Sequence, residues 1–146
     1  MLEYYLAVAD QAERVVGRSS SFHSSAPPAI SVPDYLERML KFMYCSDECY
    51  VLALIYLDRI HERTAWLEVN SSSIHRLILT GVVVAAKFFE DKYYKNSYYS
   101  KVGGISNQEL NRLEYHFLRY LDFNLYVSQD EYERYFDKLM TFARTA

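Results

Sequence analysis

The chain is poor in the residues that interrupt helices. Among 146 positions it has four glycines and three prolines, and long stretches contain neither. A many-turned β architecture needs such residues at its turns, so their scarcity favours helices. Two cysteines, Cys45 and Cys49, are too few for a disulfide scaffold. Their i, i+4 spacing would suit a metal on a helix, but no histidine or carboxylate stands at ligand spacing beside them. Reduced thiols and no bound metal are therefore expected. Neither sign of charge forms a long run, and a net charge of −3 leaves no electrostatic footprint for duplex nucleic acid or an acidic membrane surface. Within the most apolar stretch, the uncharged run Leu77 to Ala86 is far short of the ~20 residues that a bilayer requires. A basic–apolar–small leader and the usual lipidation motifs are missing too. The expectation is a soluble intracellular protein of the cytoplasm, the nucleus or both.

Apolar and aromatic surface is abundant: 51% of residues are apolar, with 15 tyrosines and 8 phenylalanines. A single domain of this length buries ~68–70% of its unfolded surface, and this composition argues against global disorder. The apolar residues concentrate in Ile74 to Phe89, IHRLILTGVVVAAKFF. On a helical wheel only a narrow strip is polar, holding Arg76, Thr80 and Lys87 and broken by Val83. Such a segment reads as a central helix, about Ser72 to Asp91, wrapped by other helices. Gly81 in its middle costs about 1 kcal/mol relative to Ala, which predicts a neighbour crossing close to the backbone there.

The rest of the chain arranges itself around that helix. Residues 2–16 form a short amphipathic helix ended by Gly17. Residues 17–29, GRSSSFHSSAPPA, read as an extended or mobile linker, and Arg18 before three serines is more simply flexible than a phosphorylation site. A helix follows from Pro33 to Tyr44. Ser46 then caps another, with Asp47 and Glu48 complementing its dipole, that runs to about Arg63. Beyond the central helix, KYYKNSYYSKVGGI reads as a loop closed by Gly103–Gly104. Two further helices each open with a capping box, Ser106 with Glu109 and Ser128 with Glu131. The fold class is all-α: a domain of five main helices over residues 30–146, preceded by the N-terminal helix and linker over residues 1–29.

Three charges sit where packing alone would not put them, since a carboxylate in an apolar face is costly unless paired. Asp58 is the first. Arg38 is the nearest-looking cation if the two helices pack antiparallel, so an internal salt bridge is expected. Glu114 lies in the centre of the face formed by Leu110, Leu113, Phe117, Leu118 and Leu121. It is satisfied either by groups of its own domain, such as His116, tyrosine hydroxyls or backbone, or by another protein's backbone N–H groups. Lys87 either complements its own helix dipole or donates to carbonyls of a partner element. On the residues alone both readings stay open.

Enzymatic signatures are missing: there is no Walker loop, no GxSxG and no metal-ligand cluster, and His23, His61, His75 and His116 are scattered. No catalytic residue and no cofactor are expected. The segment Lys92–Lys101 interleaves Lys92, Lys95 and Lys101 with Tyr93, Tyr94, Tyr98 and Tyr99, a pattern that stacks single-stranded nucleic acid in other settings. The acidic balance weighs against that use, and such tyrosines more often fold back on their own domain.

A helix ending YLDR, a buried helix ending AAKFFED and a helix carrying RLEYHFLRYLDF are together similar to the cyclin box. By that resemblance Asp58 matches the aspartate that pairs internally with an arginine, here Arg38. Lys87 matches the family's kinase-contacting lysine, Glu114 its kinase-contacting glutamate, and Phe88 the aromatic that follows the lysine. ISVPDYLERML, LALIYLDRI and SYYSKVGGISNQELNRLE resemble more narrowly the P-type, phosphate-regulon cyclins found in fungi and protists, over about residues 30 to 140. The resemblance implies a regulatory subunit, not an enzyme. It would bind a cyclin-dependent kinase beside its C-helix and activate it in cell-cycle or nutrient (phosphate) control, with Tyr132 and Phe136 adding apolar contact. The alternative is a cyclin-fold adaptor, like transcription factors that reuse the fold, without kinase activation. The Met-Arg-Ala-Ile-Leu and Trp residues with which cell-cycle cyclins dock substrate peptides are missing from the first helix of the box. A second five-helix repeat is not expected.

Overall fold

The structure, a computed structural model, describes residues 22, 28–64, 67 and 73–145. Among the described residues six helices follow one another: α1 (Val32–Phe42), α2 (Glu48–Arg63), α3 (Ile74–Phe89), α4 (Asn96–Gly103), α5 (Asn107–Tyr120) and α6 (Gln129–Thr145). The helix expected over residues 2–16 and most of the linker lie outside the described residues. Three linker residues are described, Phe22, Pro28 and Ala29. Phe22 is fully buried, with its ring edge-on to Phe117 at 6.3 Å and tilted against Tyr120 at 6.1 Å.

Helix α3 is the hub. It packs against α1, α2, α4 and α5, and from Ile74 to Ala86 every residue except Arg76 is buried. Thr80, on the expected polar strip, is fully buried because its hydroxyl donates to the Arg76 carbonyl at 2.6 Å and needs no water. Gly81 marks the crossing with α2. A Cβ there would stand 3.1 Å from Ala53 Cβ and 3.4 Å from Phe117 Cζ, so α2 and α5 close on the same point from two sides. The local cost of glycine is thus offset by closer interhelical packing.

The helix boundaries show where local signals yielded to tertiary contacts. Helix α1 is capped by Ser31, whose Oγ accepts from the Asp34 N–H at 3.2 Å, and Pro33 lies in the first turn. It stops two residues short of Tyr44, which adopts a left-handed φ of +55°. Ser46 does not cap α2; Asp47 holds that position. The Ser46 N–H instead donates to Glu90 Oε1 at 2.7 Å, tying the α1–α2 connection to the end of α3. The expected loop before Gly103–Gly104 contains α4. Tyr99 of α4 is buried and accepts the Tyr94 N–H at 2.9 Å, and the Tyr98 hydroxyl donates to the Phe42 carbonyl at 2.6 Å.

Both capping boxes are half made. Ser106 and Ser128 accept the N–H groups of Glu109 and Glu131 at 3.0 and 3.1 Å. Both carboxylates turn outward from the box. Glu109 binds Arg76 of α3 at 2.6 Å and Glu131 binds Arg59 of α2 at 2.9 Å. A residue that would close its own helix end instead joins two helices.

Candidate functional site

At the C-terminal end of α3 the apolar core reaches the surface. Phe88 and Phe89 are each 54% exposed and stand over a groove of about 410 Å³. Its other walls include Leu52 and Tyr56 of α2, Leu125 and Tyr126 of the α5–α6 connection, and Tyr132 of α6. Tyr126 is 70% exposed. Exposed aromatics gathered around one concavity mark an interaction surface, unlike the same residues scattered singly.

The far wall is held in place by α2. After α5 the chain turns through two successive left-handed residues, Asp122 (φ +53°) and Phe123 (φ +56°), a costly conformation for side chains of this size. Arg59 braces the segment that follows. It donates to the carbonyls of Asn124 at 2.8 Å and Tyr126 at 2.9 Å while pairing with Glu131. The Tyr56 hydroxyl donates to the Leu125 carbonyl at 2.8 Å, and burial pushes its pKa up to about 12. The wall is thereby set before anything binds, which reduces the ordering cost of association.

Beside the groove lies the ion pair of Lys87 and Glu114. Lys87 Nζ stands 2.9 Å from Glu114 Oε2 and 3.0 Å from Oε1, with the two side chains 28% and 18% exposed. Asn96 at the start of α4 donates to Glu114 Oε1 at 3.0 Å and to Asn111 Oδ1 at 2.7 Å. The two charges that asked for partners are first of all each other's. The pair still has capacity: an ammonium carries three donors, and a carboxylate accepts up to about four hydrogen bonds.

The other expected residues divide. Tyr132 lines the groove; burial, and then the nearby charges of Glu48 and Asp47, push its hydroxyl up to about 12. Phe136, one turn further along α6, is half-buried against the core and stacks on Tyr132, with centroids 6.3 Å apart. It supports Tyr132 rather than lining the groove. The expected Asp58–Arg38 salt bridge is not formed. The Arg38 guanidinium donates to the Lys101 carbonyl at 3.2 Å, because α1 faces the end of α4 and not the Asp58 turn of α2. Asp58 looks onto the Tyr135 hydroxyl, which stands outside full hydrogen-bonding geometry. Burial holds its carboxyl above the usual range. Its neighbour Arg59 takes the interhelical role in its place. Arg59 was not singled out in the sequence, although its place one turn before Arg63 in a helix of apolar neighbours was the available signal. Cys45 and Cys49 are free thiols. Among the described residues no helix is long and apolar enough to cross a membrane.

The family model for Cyclin matches residues 7–125. Cyclin-U4-1 of Arabidopsis thaliana is 48% identical over 132 residues, 90% of this chain and 63% of that protein. Cyclin-P4-1 of Oryza sativa subsp. japonica is 46% identical over 116 residues, 80% of this chain and 55% of that protein. The PHO85 cyclin-like protein psl1 of Schizosaccharomyces pombe is 42% identical over 124 residues, 84% of this chain and 51% of that protein. The similarity extends the P-type resemblance from fungi and protists to plants. The chain spans between about half and two thirds of the length of these curated relatives.

Proposed function

The chain belongs to the cyclin family, and from that premise we propose that it is the regulatory subunit of a cyclin-dependent protein kinase and not itself an enzyme. The observation that carries the reading is the apolar groove at the end of α3 with the Lys87–Glu114 pair beside it. The proposed occupant is the kinase C-helix region. Phe88 and Tyr132 bury its apolar side chains. The remaining donors of Lys87 and the open acceptor positions of Glu114 meet its backbone carbonyls and N–H groups.

Activation then follows from selection. A kinase transfers phosphoryl efficiently only when its β3 lysine and C-helix glutamate are paired. A groove whose far wall is already braced by Arg59 and Tyr56 binds the helix in one position only. Binding that position better than the alternative shifts the kinase toward it by the difference in affinity. The kinship with P-type and PHO85-like cyclins supports a role in cell-cycle or nutrient control, phosphate response included.

The test is a pull-down from the native lysate with the wild-type chain and the Lys87→Glu, Glu114→Ala double variant, followed by phosphotransfer assays on whatever kinase is recovered. Recovery and stimulation by the wild type, and loss of both with a folded double variant, is the expected outcome. A kinase bound without stimulation would mark an adaptor. No kinase with either chain would sink the regulatory reading.

A further inference from the structure

The opposite end of α3 is built of different material. There a cavity of about 310 Å³ is lined by Tyr35, Arg38, His75, Arg76 and Gly103–Gly104, among others, with two guanidinium groups and no carboxylate in its lining. Three arginines of the described chain are half-buried: Arg38, Arg59 and Arg76. Arg59 and Arg76 each face a carboxylate, Glu131 and Glu109. Among the described residues Arg38 faces none; its bond goes to the Lys101 carbonyl, at 3.2 Å. A guanidinium drawn partly out of water without a counter-ion is costly, and its planar fork of donors matches an oxyanion.

The remaining wall suits the same ligand. The Gly103 carbonyl, an acceptor that would repel an anion, is covered by the Tyr35 hydroxyl at 2.7 Å. Gly104 has a φ of +72°, and a Cβ there would stand 3.7 Å from the Arg38 guanidinium, in the space before it. Glycine leaves that approach open. His75 is only 7% exposed and neutral by burial; its Nε2–H donates to the Ile30 carbonyl at 2.7 Å, so its Nδ1 is an acceptor and takes no part in holding an anion.

We propose that this cavity binds a phosphate group carried on a phosphorylated side chain of a partner protein, with Arg38 as its principal ligand; Arg76, held at Nε by Glu109, contributes only its remaining N–H groups. The cavity is at the small end for ligand sites, enough for one phosphorylated residue and too small for a nucleotide. It lies about 20 Å along α3 from the groove, thirteen residues at ~1.5 Å each, so both sites can be filled at once. The proposal does not depend on the kinase reading.

The experiment is an NMR titration of the ¹⁵N-labelled chain with O-phosphoserine, inorganic phosphate and acetate. The amides of Gly103 and Gly104 are convenient reporters in a chain with four glycines. Saturable shifts of those amides with O-phosphoserine are expected, together with at least a tenfold loss of affinity in Arg38→Ala and a smaller loss in Arg38→Lys. Arg38 makes one protein bond, so both variants should fold; if Arg38→Ala does not, Arg38→Lys carries the comparison. Phosphate bound with phosphoserine excluded would mean a free-ion site and overturn the side-chain ligand. Acetate bound as tightly as phosphoserine would overturn the phosphate assignment. Absence of saturable shifts at Gly103 and Gly104, or unchanged affinity in folded Arg38 variants, would overturn the site itself.

Discussion

The two ends of α3 present opposite surfaces on one buried helix. At Phe88 the walls are aromatic, and the adjacent charges, Lys87 and Glu114, neutralise each other. At His75 the walls mix apolar side chains with two guanidinium groups, and one of these, Arg38, has no carboxylate beside it among the described residues. Apolar area recruits whatever shape fits, and its strength grows with the area covered. An unmatched fork of donors contributes little unless a particular anion arrives, so it discriminates more than it attracts. A single helix can thus carry an affinity surface and a selectivity surface without mixing them, provided its middle is sealed.

The largest effect should come from breaking the groove end alone. Glu114→Ala or Lys87→Glu is expected to weaken kinase binding by roughly 2–5 kcal/mol, since either leaves a half-buried charge unmatched. Calorimetry with the recovered kinase gives the number, and Arg38→Ala measured alongside should leave it unchanged. Equal losses from both ends would show that they are not independent. Next comes the seal between them. Gly81→Val forces a side chain against Ala53 and Phe117 and should lower stability by about 1–3 kcal/mol in urea unfolding. Because the crossing is shared, both ends should lose their ligands together.

A smaller and more local effect is expected for Arg59→Ala, about 1–2 kcal/mol, from one ion pair and two carbonyl bonds. Hydrogen exchange should rise along residues 124–132 and in α6 while Gly103 and Gly104 stay protected. Spread of the exchange to both ends would contradict the separation. The smallest effect concerns Asp58. Burial raises its folded pKa, so the folded state favours the protonated carboxyl. The stability associated with that preference is complete below the unfolded-state value and is lost as pH rises through the folded one. Asp58→Asn should therefore raise Tm at pH 7 and leave it unchanged near pH 3. A lower Tm at pH 7 would show that the ionised form is held by a partner after all.

The hub helix was readable from its composition, and so was the crossing at Gly81, because both depend on properties of a single segment. The relations between segments were less accessible. Lys87 and Glu114 are 27 residues apart, and their pairing is visible only once α3 and α5 are packed. Asp58 and Arg38 are the nearest-looking opposite charges in the sequence, but α1 faces the end of α4, and Arg38 bonds the Lys101 carbonyl. The α4 segment is rich in Tyr, Ser and Asn, residues of weak helix propensity, and its helix is supported by contacts of Tyr98 and Tyr99 with the rest of the domain. The capping boxes were correct as helix starts and incomplete as descriptions of Glu109 and Glu131, whose charges serve distant arginines.

Helix α6 contributes a single fully buried apolar side chain, Leu139, among the described residues. It is fastened at its first turn by Arg59 and closes the groove through Tyr132. A molecule that fills the groove therefore adds burial to a helix already braced at its first turn, and by mass action stabilises α6 in proportion to its concentration. The melting of this last helix should then depend on ligand concentration while the α2–α3 crossing melts unchanged. The boundary of the rigid body would be set by its partner as much as by its own residues.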